Sequence, residues 1–151
     1  PDLLLATREM ARVLKPGGRI SVSVWGPPEK NFWVTAVGGT INQNMQLDPP
    51  PPGAPGMFRC AEPEMIQGLF KAAGLKQTGE KEVNSSLNLE STEVYWNMMT
   101  EVAAPFVAAL SKADAEMKTK IKGEVFQKIE EKMGSDTVSL NGNARVIYGV
   151  K

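Results

Sequence analysis

The stretch Glu9–Gly26, EMARVLKPGGRISVSVWG, constrains the fold more than any other part of the chain. Pro16 cannot continue a helix, and Gly17-Gly18 supplies the positive φ angles of a tight reversal. Upstream, apolar residues recur at helical spacing: Leu3, Ala6, Met10, Val13 and Leu14. Downstream, apolar residues alternate with small or aromatic ones, which predicts a strand buried on both faces: Ile20, Val22 and Val24 against Ser21, Ser23 and Trp25. Helix, glycine turn and buried strand together predict half of an α/β crossover unit.

The same stretch carries a family resemblance. The run Arg12-Val13-Leu14-Lys15-Pro16-Gly17-Gly18-Arg19, followed by a strand ending at Trp25, resembles the late motif of class I S-adenosylmethionine-dependent methyltransferases. It is most similar to the branch of ubiquinone/menaquinone-biosynthesis-like small-molecule methyltransferases, where it forms the fifth strand and the helix before it. The resemblance continues through Pro63–Leu75, the family's next helix, and more loosely through Ala144–Lys151, its closing antiparallel strand.

The resemblance also implies features that this chain lacks. In the family, S-adenosylmethionine is held by a turn of roughly GxGxG after the first strand and by an acidic residue after the second. Only eight residues precede Glu9, and neither feature lies among them. The pairs Gly17-Gly18 and Gly38-Gly39 do not stand between a strand and a following helix, as such a turn requires. We therefore expect a C-terminal methyltransferase half that binds no cofactor and is inactive by itself.

Composition excludes several other classes of function. Lys+Arg and Asp+Glu both number 17, so no net charge attracts nucleic acid or an anionic membrane. No apolar run approaches the roughly 20 residues of a membrane span. Cys60 is the single cysteine and cannot form an internal disulfide, which fits a reducing cytoplasm. The chain has no histidine, so Ser-His-Asp and Cys-His sites are excluded and the commonest metal ligand is missing. A length of 151 residues favours a single domain.

The segment after the strand is predicted to be a cover or a linker. Asn31 is expected to cap a helix through Phe32 and Trp33, whose second half Gly38-Gly39-Thr40 should weaken. Residues 48–56, DPPPPGAPG, predict a polyproline-like linker. The resemblance implies that 27–61 is a mobile lid over the active site, and a plain surface loop is the equal alternative.

The second half of the chain predicts a helix, an edge strand and a helical insertion. The first helix begins near Pro63, ends at Gly74 and buries Met65, Ile66, Leu69, Phe70 and Ala73. Residues 75–83 predict a charged edge strand. The insertion, 92–133, starts with a helix that Pro105 splits and whose apolar stripe is Val94, Met98, Val102, Phe106 and Leu110. Its last helix starts from Ser111 with Asp114, ends at Gly134, and carries Met117, Ile121, Val125, Ile129 and Met133.

Near the end of the chain, Asn141-Gly142-Asn143 predicts a turn between strands at 137–140 and 145–150. The whole pattern predicts an α/β fold: the C-terminal portion of a Rossmann-like methyltransferase sheet with a helical insertion before the last strand.

Candidate substrate-binding residues form an aromatic and methionine set: Trp25, Phe32, Trp33, Tyr95, Trp96 and Met99. Trp25 ends a strand at its carboxyl end, where open α/β sheets place ligands, and an apolar pocket suits a small apolar methyl acceptor. The alternative is that these residues are core. Glu62 and Glu64 could act as general bases, although acids in a first helical turn also complement the helix dipole. No catalytic residue is identified, because methyl transfer asks mainly for alignment and desolvation.

A second class of function stays open, a non-catalytic oligomerisation or partner-binding module derived from this fold. The resemblance implies that the strand 19–25 normally pairs with a fourth strand that this chain lacks. The edge has no proline and only Arg19 as a charge, so the usual protections against edge pairing are missing. We therefore expect a homo-oligomer, or association with a missing N-terminal half.

Overall fold

The computed structural model describes residues 2–48, 51, 53–134 and 137–151. The helices are α1 (Leu3–Val13), α2 (Phe32–Met45), α3 (Met65–Ala72), α4 (Thr92–Val102), α5 (Ala104–Leu110) and α6 (Ala115–Met133). The strands are β1 (Arg19–Trp25), β2 (Lys76–Leu89) and β3 (Val138–Val150), and a 3₁₀ turn covers Pro28–Lys30. The chain divides into two compact units. The sheet unit comprises Pro1–Lys30, Pro51–Asn84 and Asn143–Lys151, and the helical unit comprises Asn31–Pro50 and Ser85–Gly142.

The strands form one sheet in the order β1-β3-β2. β1 pairs antiparallel with β3, from Arg19 opposite Val150 to Trp25 opposite Ala144. Along β2, Thr78 lies beside Gly149, whereas Asn84 bonds Asn143, so β2 also runs antiparallel to β3. The predicted pairing of strand 19–25 with a closing antiparallel strand is therefore confirmed. The mixed helix and strand character of the fold is confirmed too, and the observed sheet is small and antiparallel.

In the sheet unit, one face of the sheet is covered. Ile20, Val22 and Val24 pack with residues of α1 and α3. The buried residues of this core are Ala11, Ile66, Phe70, Leu75 and Ile147. The other face of β1 is open, since Ser21 and Ser23 are exposed. The predicted burial of this strand on both faces is wrong, because both helices of the unit contribute to the same core.

Helix α1 ends where predicted, but its buried side differs. The Lys151 ammonium donates hydrogen bonds to the carbonyls of Arg12 (2.9 Å) and Leu14 (2.8 Å). These bonds satisfy carbonyl groups that have no partner within the helix. Thr7 and Ala11 are the buried residues of the helix, and the predicted members Ala6, Met10 and Val13 are exposed. Thr7 and Ala11 thus face the rest of the unit, and Leu14 packs partly against its core, whereas Met10 and Val13 face outward.

Helix α3 and strand β2 follow the sequence closely. Ile66 and Phe70 are buried, and Gly74 at φ +85° ends the helix as predicted. β2 is an edge strand, as predicted, and continues beyond the expected range to Leu89.

In the helical unit, α2 continues through Gly38-Gly39-Thr40 to Met45, so the predicted weakening there is wrong. Thr40 links this part of α2 to α6, because its hydroxyl donates to the Ala36 carbonyl (2.8 Å) and accepts from the Lys128 ammonium (2.8 Å). The described residues of 48–56 form neither helix nor strand. Within that predicted linker, Pro49, Pro50 and Pro52 lie outside the described residues.

The insertion contains α4, α5 and α6. Ala103, at φ −82° and ψ 89°, separates α4 from α5, and Pro105 stands at the start of α5, so the predicted split is confirmed. The predicted stripe is wrong for Val94 and Val102, which are 40% and 78% exposed. The buried side of α4 lies about one residue further along, at Tyr95, Trp96 and Met99.

Helix α6 supplies the middle of the helical core. Ile121, Val125 and Ile129 are fully buried, as predicted, and Gly134 at φ +84° follows the last turn. The predicted start at Ser111 is wrong, because Ser111 closes α5. Asp114 caps α6 instead, accepting a hydrogen bond from the Met117 N–H at 2.8 Å.

The turn predicted at Asn141-Gly142-Asn143 is also wrong, because β3 runs without interruption through all three residues. The reason lies in the partners of Asn143. Its side-chain NH2 group donates to Glu82 (2.8 Å) and Asn84 (2.7 Å) on β2, so a residue typical of turns is held inside a strand by two cross-strand hydrogen bonds.

Candidate functional site

Trp25 lies at the carboxyl end of β1 in the sheet unit, as predicted. Its side chain is half-buried, and it shares the open face of the strand with Ser21 and Ser23. On β3, Ala144 stands directly opposite. A half-buried indole beside small residues can contact a flat apolar molecule.

Gly26 follows Trp25 and is held against β3. Its N–H donates to the Asn143 carbonyl at 2.9 Å, and a Cβ at this position would overlap the Asn143 side-chain amide. The glycine is therefore required by close packing on Asn143. Asn143 is itself only 1% exposed.

A polar cluster that the sequence analysis did not identify surrounds Asn143. We define the strand-end cluster as Lys30, Glu80, Glu82, Asn84, Asn143 and Arg145. Lys30 and Glu82 form an ion pair at 2.6 Å, and Arg145 Nη1 lies 2.6 Å from Glu80 Oε1. The second pair is largely buried, with side chains 13% and 12% exposed.

Glu80 also joins β2 to the start of α3, because its second carboxylate oxygen accepts the N–H of Glu64 at 3.1 Å. Arg145 Nε is buried and has no hydrogen-bond partner among the described residues. The Arg145 guanidinium is therefore held through Nη1, whereas its Nε–H lacks a hydrogen-bond acceptor among the described residues.

The electrostatics of the cluster keep Glu82 ionised. The hydrogen bond from Lys30 is the main reason that the pKa of Glu82 is lowered from 4.5, and the hydrogen bond from Asn143 acts in the same direction. Partial desolvation opposes both. A carboxyl group with a lowered pKa is a poor general base at neutral pH, so this cluster is suited to binding and orientation.

The other predicted acceptor residues all belong to the helical unit. Tyr95 and Met99 are 0% and 3% exposed and form part of its core, against which Phe32 and Trp33 pack. The Tyr95 hydroxyl donates to the Trp33 carbonyl at 2.6 Å, and burial raises the pKa of the Tyr95 phenol. In this arrangement Tyr95 and Met99 hold α4 in the core and present almost no surface to a ligand.

Two predicted aromatic residues have contacts of their own. Trp96 meets Phe126 edge to face, with ring centroids 6.5 Å apart. The Lys132 ammonium lies 4.0 Å from the centre of the Phe32 ring, within the range of a cation–π interaction. The structure thus gathers Phe32, Trp33, Tyr95, Trp96 and Met99 in one unit. A single pocket formed by these residues with Trp25 stays a prediction.

The described residues do not fit the glycine-rich cofactor turn of the resembled family. β1 leads to α2 through Gly26, the 3₁₀ turn and Asn31, and β2 leads to α4 through Glu90 and Ser91. The first connection has one glycine, which packs on Asn143, and the second has none. Neither connection presents the free backbone N–H groups of a glycine-rich loop.

The described residues contain neither a metal-binding cluster nor a membrane-spanning helix. Across residues 2–48, 51, 53–134 and 137–151, His, Cys, Asp and Glu side chains form no group of three that could hold a metal ion. No helix in the same part of the chain is both long and apolar enough to cross a bilayer.

No family model and no curated protein matches the sequence. Similar solved structures include a provisionally named methyltransferase from Bacillus halodurans C-125, with 14% identity and a TM-score of 0.47. They also include a Haemonchus contortus phosphoethanolamine N-methyltransferase 2, with 16% identity and a TM-score of 0.37, solved with phosphomonomethylethanolamine and S-adenosylhomocysteine. These matches cover 98% and 99% of this chain, which spans 57% and 30% of the two proteins.

Proposed function

We propose that this chain is the acceptor-side part of an S-adenosylmethionine-dependent methyltransferase that acts on a small apolar molecule. The observation that carries the proposal is the unit α1–Gly17-Gly18–β1, which bears the RVLKPGG motif and pairs with the antiparallel strand β3. The order β1-β3-β2 supports it, because the closing strand of the resembled family also lies beside the strand of this motif.

Within this proposal, Trp25 contacts the methyl acceptor at the carboxyl end of β1. The strand-end cluster holds that end in place, since the Asn143 carbonyl accepts from the Gly26 N–H and the Asn143 side chain donates to the Glu82 carboxylate. The residues of this chain would bind and align the acceptor and exclude water, and the cofactor would be held by residues outside it.

A cofactor titration tests the proposal. Calorimetry with S-adenosylhomocysteine should detect no binding to this chain at micromolar concentrations, where a specific site would contribute about −8 kcal/mol. The same titration should detect binding once a strand–GxGxG–helix unit encoded upstream in the same reading frame is included. A reading frame without such a unit, or micromolar binding by residues 1–151 alone, would contradict this division of roles.

A non-catalytic module is the second candidate, and the unpaired edge of β1 favours it, because β1 is the outer strand of the described sheet. Such a module would bind its partner by strand pairing and would gain no cofactor affinity from upstream sequence. The same titration therefore separates the two candidates.

A further inference from the structure

A groove of about 430 Å³ opens in the helical unit where α4, α5 and α6 come together. Its lining residues are Trp96, Thr100, Val107, Leu110, Ser111, Lys118, Thr119 and Lys122. The floor is apolar, since Trp96 and Leu110 are 9% and 7% exposed, and Val107 adds an apolar wall that is 40% exposed. This volume is within the range of sites that bind small molecules, roughly 300–1,000 Å³.

The polar side of the groove carries more positive than negative charge. The Lys122 ammonium is already engaged, 2.7 Å from a Glu93 carboxylate oxygen and 5.2 Å from the centre of the Phe126 ring. Lys118 precedes Lys122 by one helical turn and forms no ion pair with any residue that the structure describes. Lys118 and Lys122 are the charged residues of the lining, and only Lys122 has a carboxylate partner among the described residues, which leaves a positive charge beside an apolar floor.

The hydroxyl groups of the groove do not supply donors to a ligand. Thr100 donates to the Trp96 carbonyl, Ser111 to the Ala108 carbonyl and Thr119 to the Ala115 carbonyl, at 2.9 Å in each case. Donation to a ligand thus falls to the ammonium of Lys118.

We propose that this groove binds a small amphipathic anion, a carboxylate carried on an aromatic or short alkyl body. The body lies on Trp96 and Leu110, and the carboxylate meets Lys118. A cationic ligand would face two ammonium groups, and a neutral one would gain no charge pairing with Lys118, which is exposed. Binding needs only residues of the helical unit, so the inference does not rest on the proposed methyl transfer.

The test is a titration of the full chain with 2-naphthoate, followed by NMR of the tryptophan indole N–H signals. The chain has three tryptophans, and Trp96→Phe identifies the signal that belongs to Trp96. We expect this signal to shift with 2-naphthoate. The uncharged isostere 2-naphthamide should bind about fivefold more weakly, the difference expected for one partly exposed charge pair.

Two matched variants locate the charge. Lys118→Gln should remove the preference for 2-naphthoate, whereas Lys120→Gln changes the net charge equally and should keep it, since Lys120 pairs with Glu124 outside the groove lining. Val107→Asp should abolish binding and Val107→Thr should retain it, and both keep the exposed position of the side chain. The proposal is overturned if the Trp96 signal does not move, if both naphthyl compounds bind equally, or if the two lysine variants behave alike.

Discussion

Asn143 shows how single side chains decide the structure of the sheet unit. Taken with Gly142, it is typical of a hairpin turn, yet it lies buried in the middle of a strand. Its side-chain NH2 group donates to Glu82 and Asn84, residues 61 and 59 positions away in sequence. No local pattern contains that information, which explains why the strand-end cluster could not be predicted from the sequence.

The cluster makes the stability of the chain depend on pH in a defined direction. Because the pKa of Glu82 is lowered from 4.5 in the folded state, its contribution is present above that pH and is lost as the pH falls below it. Glu82→Gln should therefore destabilise the chain at neutral pH, and the difference from wild type should shrink below pH 4.5. Urea unfolding followed from pH 7 to about 3.5 measures this.

The control for that series is Glu29→Gln, which alters an exposed carboxylate one residue before Lys30 that forms no ion pair with the strand-end cluster. It should leave the pH dependence unchanged. A gap between Glu82→Gln and wild type that stays constant over the whole range would show that the carboxylate charge is unimportant.

At the residue scale, Trp25 carries the acceptor side of the proposed function. In the complete enzyme, Trp25→Ala should lower acceptor turnover by roughly tenfold or more, as expected when 1.4 kcal/mol or more of transition-state binding is lost. Cofactor affinity should stay within a few-fold of wild type, and Trp25→Phe should recover part of the turnover. Steady-state kinetics with a cofactor titration measures both quantities, and an equal loss of the two would assign Trp25 a structural role.

At the element scale, periodicity identified the helices and strands more reliably than it identified their buried sides. The α6 stripe was predicted correctly because the large apolar residues of the helix, apart from Phe126, recur at steps of four and include Ile121, Val125 and Ile129. In α1 and α4, apolar residues occur on several faces, and packing selected Thr7, Ala11 and Tyr95 over the larger or better spaced alternatives. Tertiary contacts decide between such faces, and the sequence of one helix does not contain them.

The start of α6 provides a test at the same scale. Asp114→Ala removes the cap on the Met117 N–H and should lower the free energy of unfolding by about 1 kcal/mol. Ser111→Ala removes only a hydroxyl that bonds the Ala108 carbonyl at the end of α5, so it should have a much smaller effect. Thermal or urea unfolding of both variants decides between them, and equal effects would favour a start at Ser111.

At the scale of the whole molecule, the open edge of β1 leads us to expect self-association. The Gly26 N–H donates to the Asn143 carbonyl, and the Lys151 N–H donates to the Gly18 carbonyl. In the register of β1 and β3, the even-numbered residues of β1 therefore direct their N–H and C=O groups toward β3. Odd-numbered residues such as Ser21 and Ser23 direct theirs outward. We propose that two copies pair through these outward groups.

Ser23→Pro tests this pairing, because it removes an outward N–H and leaves the bonds to β3 intact. Light scattering after size exclusion should give a dimer mass for wild type at tens of micromolar and a smaller mass for the variant. Ser23→Thr, which keeps the N–H, is the matched control. A monomeric wild type, or a dimer that Ser23→Pro leaves unchanged, would contradict pairing through this edge.

The central position of β3 has a consequence for synthesis on the ribosome. β1 and β2 are made first, but in the described sheet each pairs only with β3, the last of the three in sequence. Until residues 143–150 have left the exit tunnel, Ile20, Val22 and Val24 lack the strand partner that β3 provides in the described sheet, and the core lacks Ile147. Helices α1 and α3 are made early enough to cover these side chains, but the edge of β1 that faces β3 stays open until the last strand is made, which prolongs the time in which another chain can pair with it.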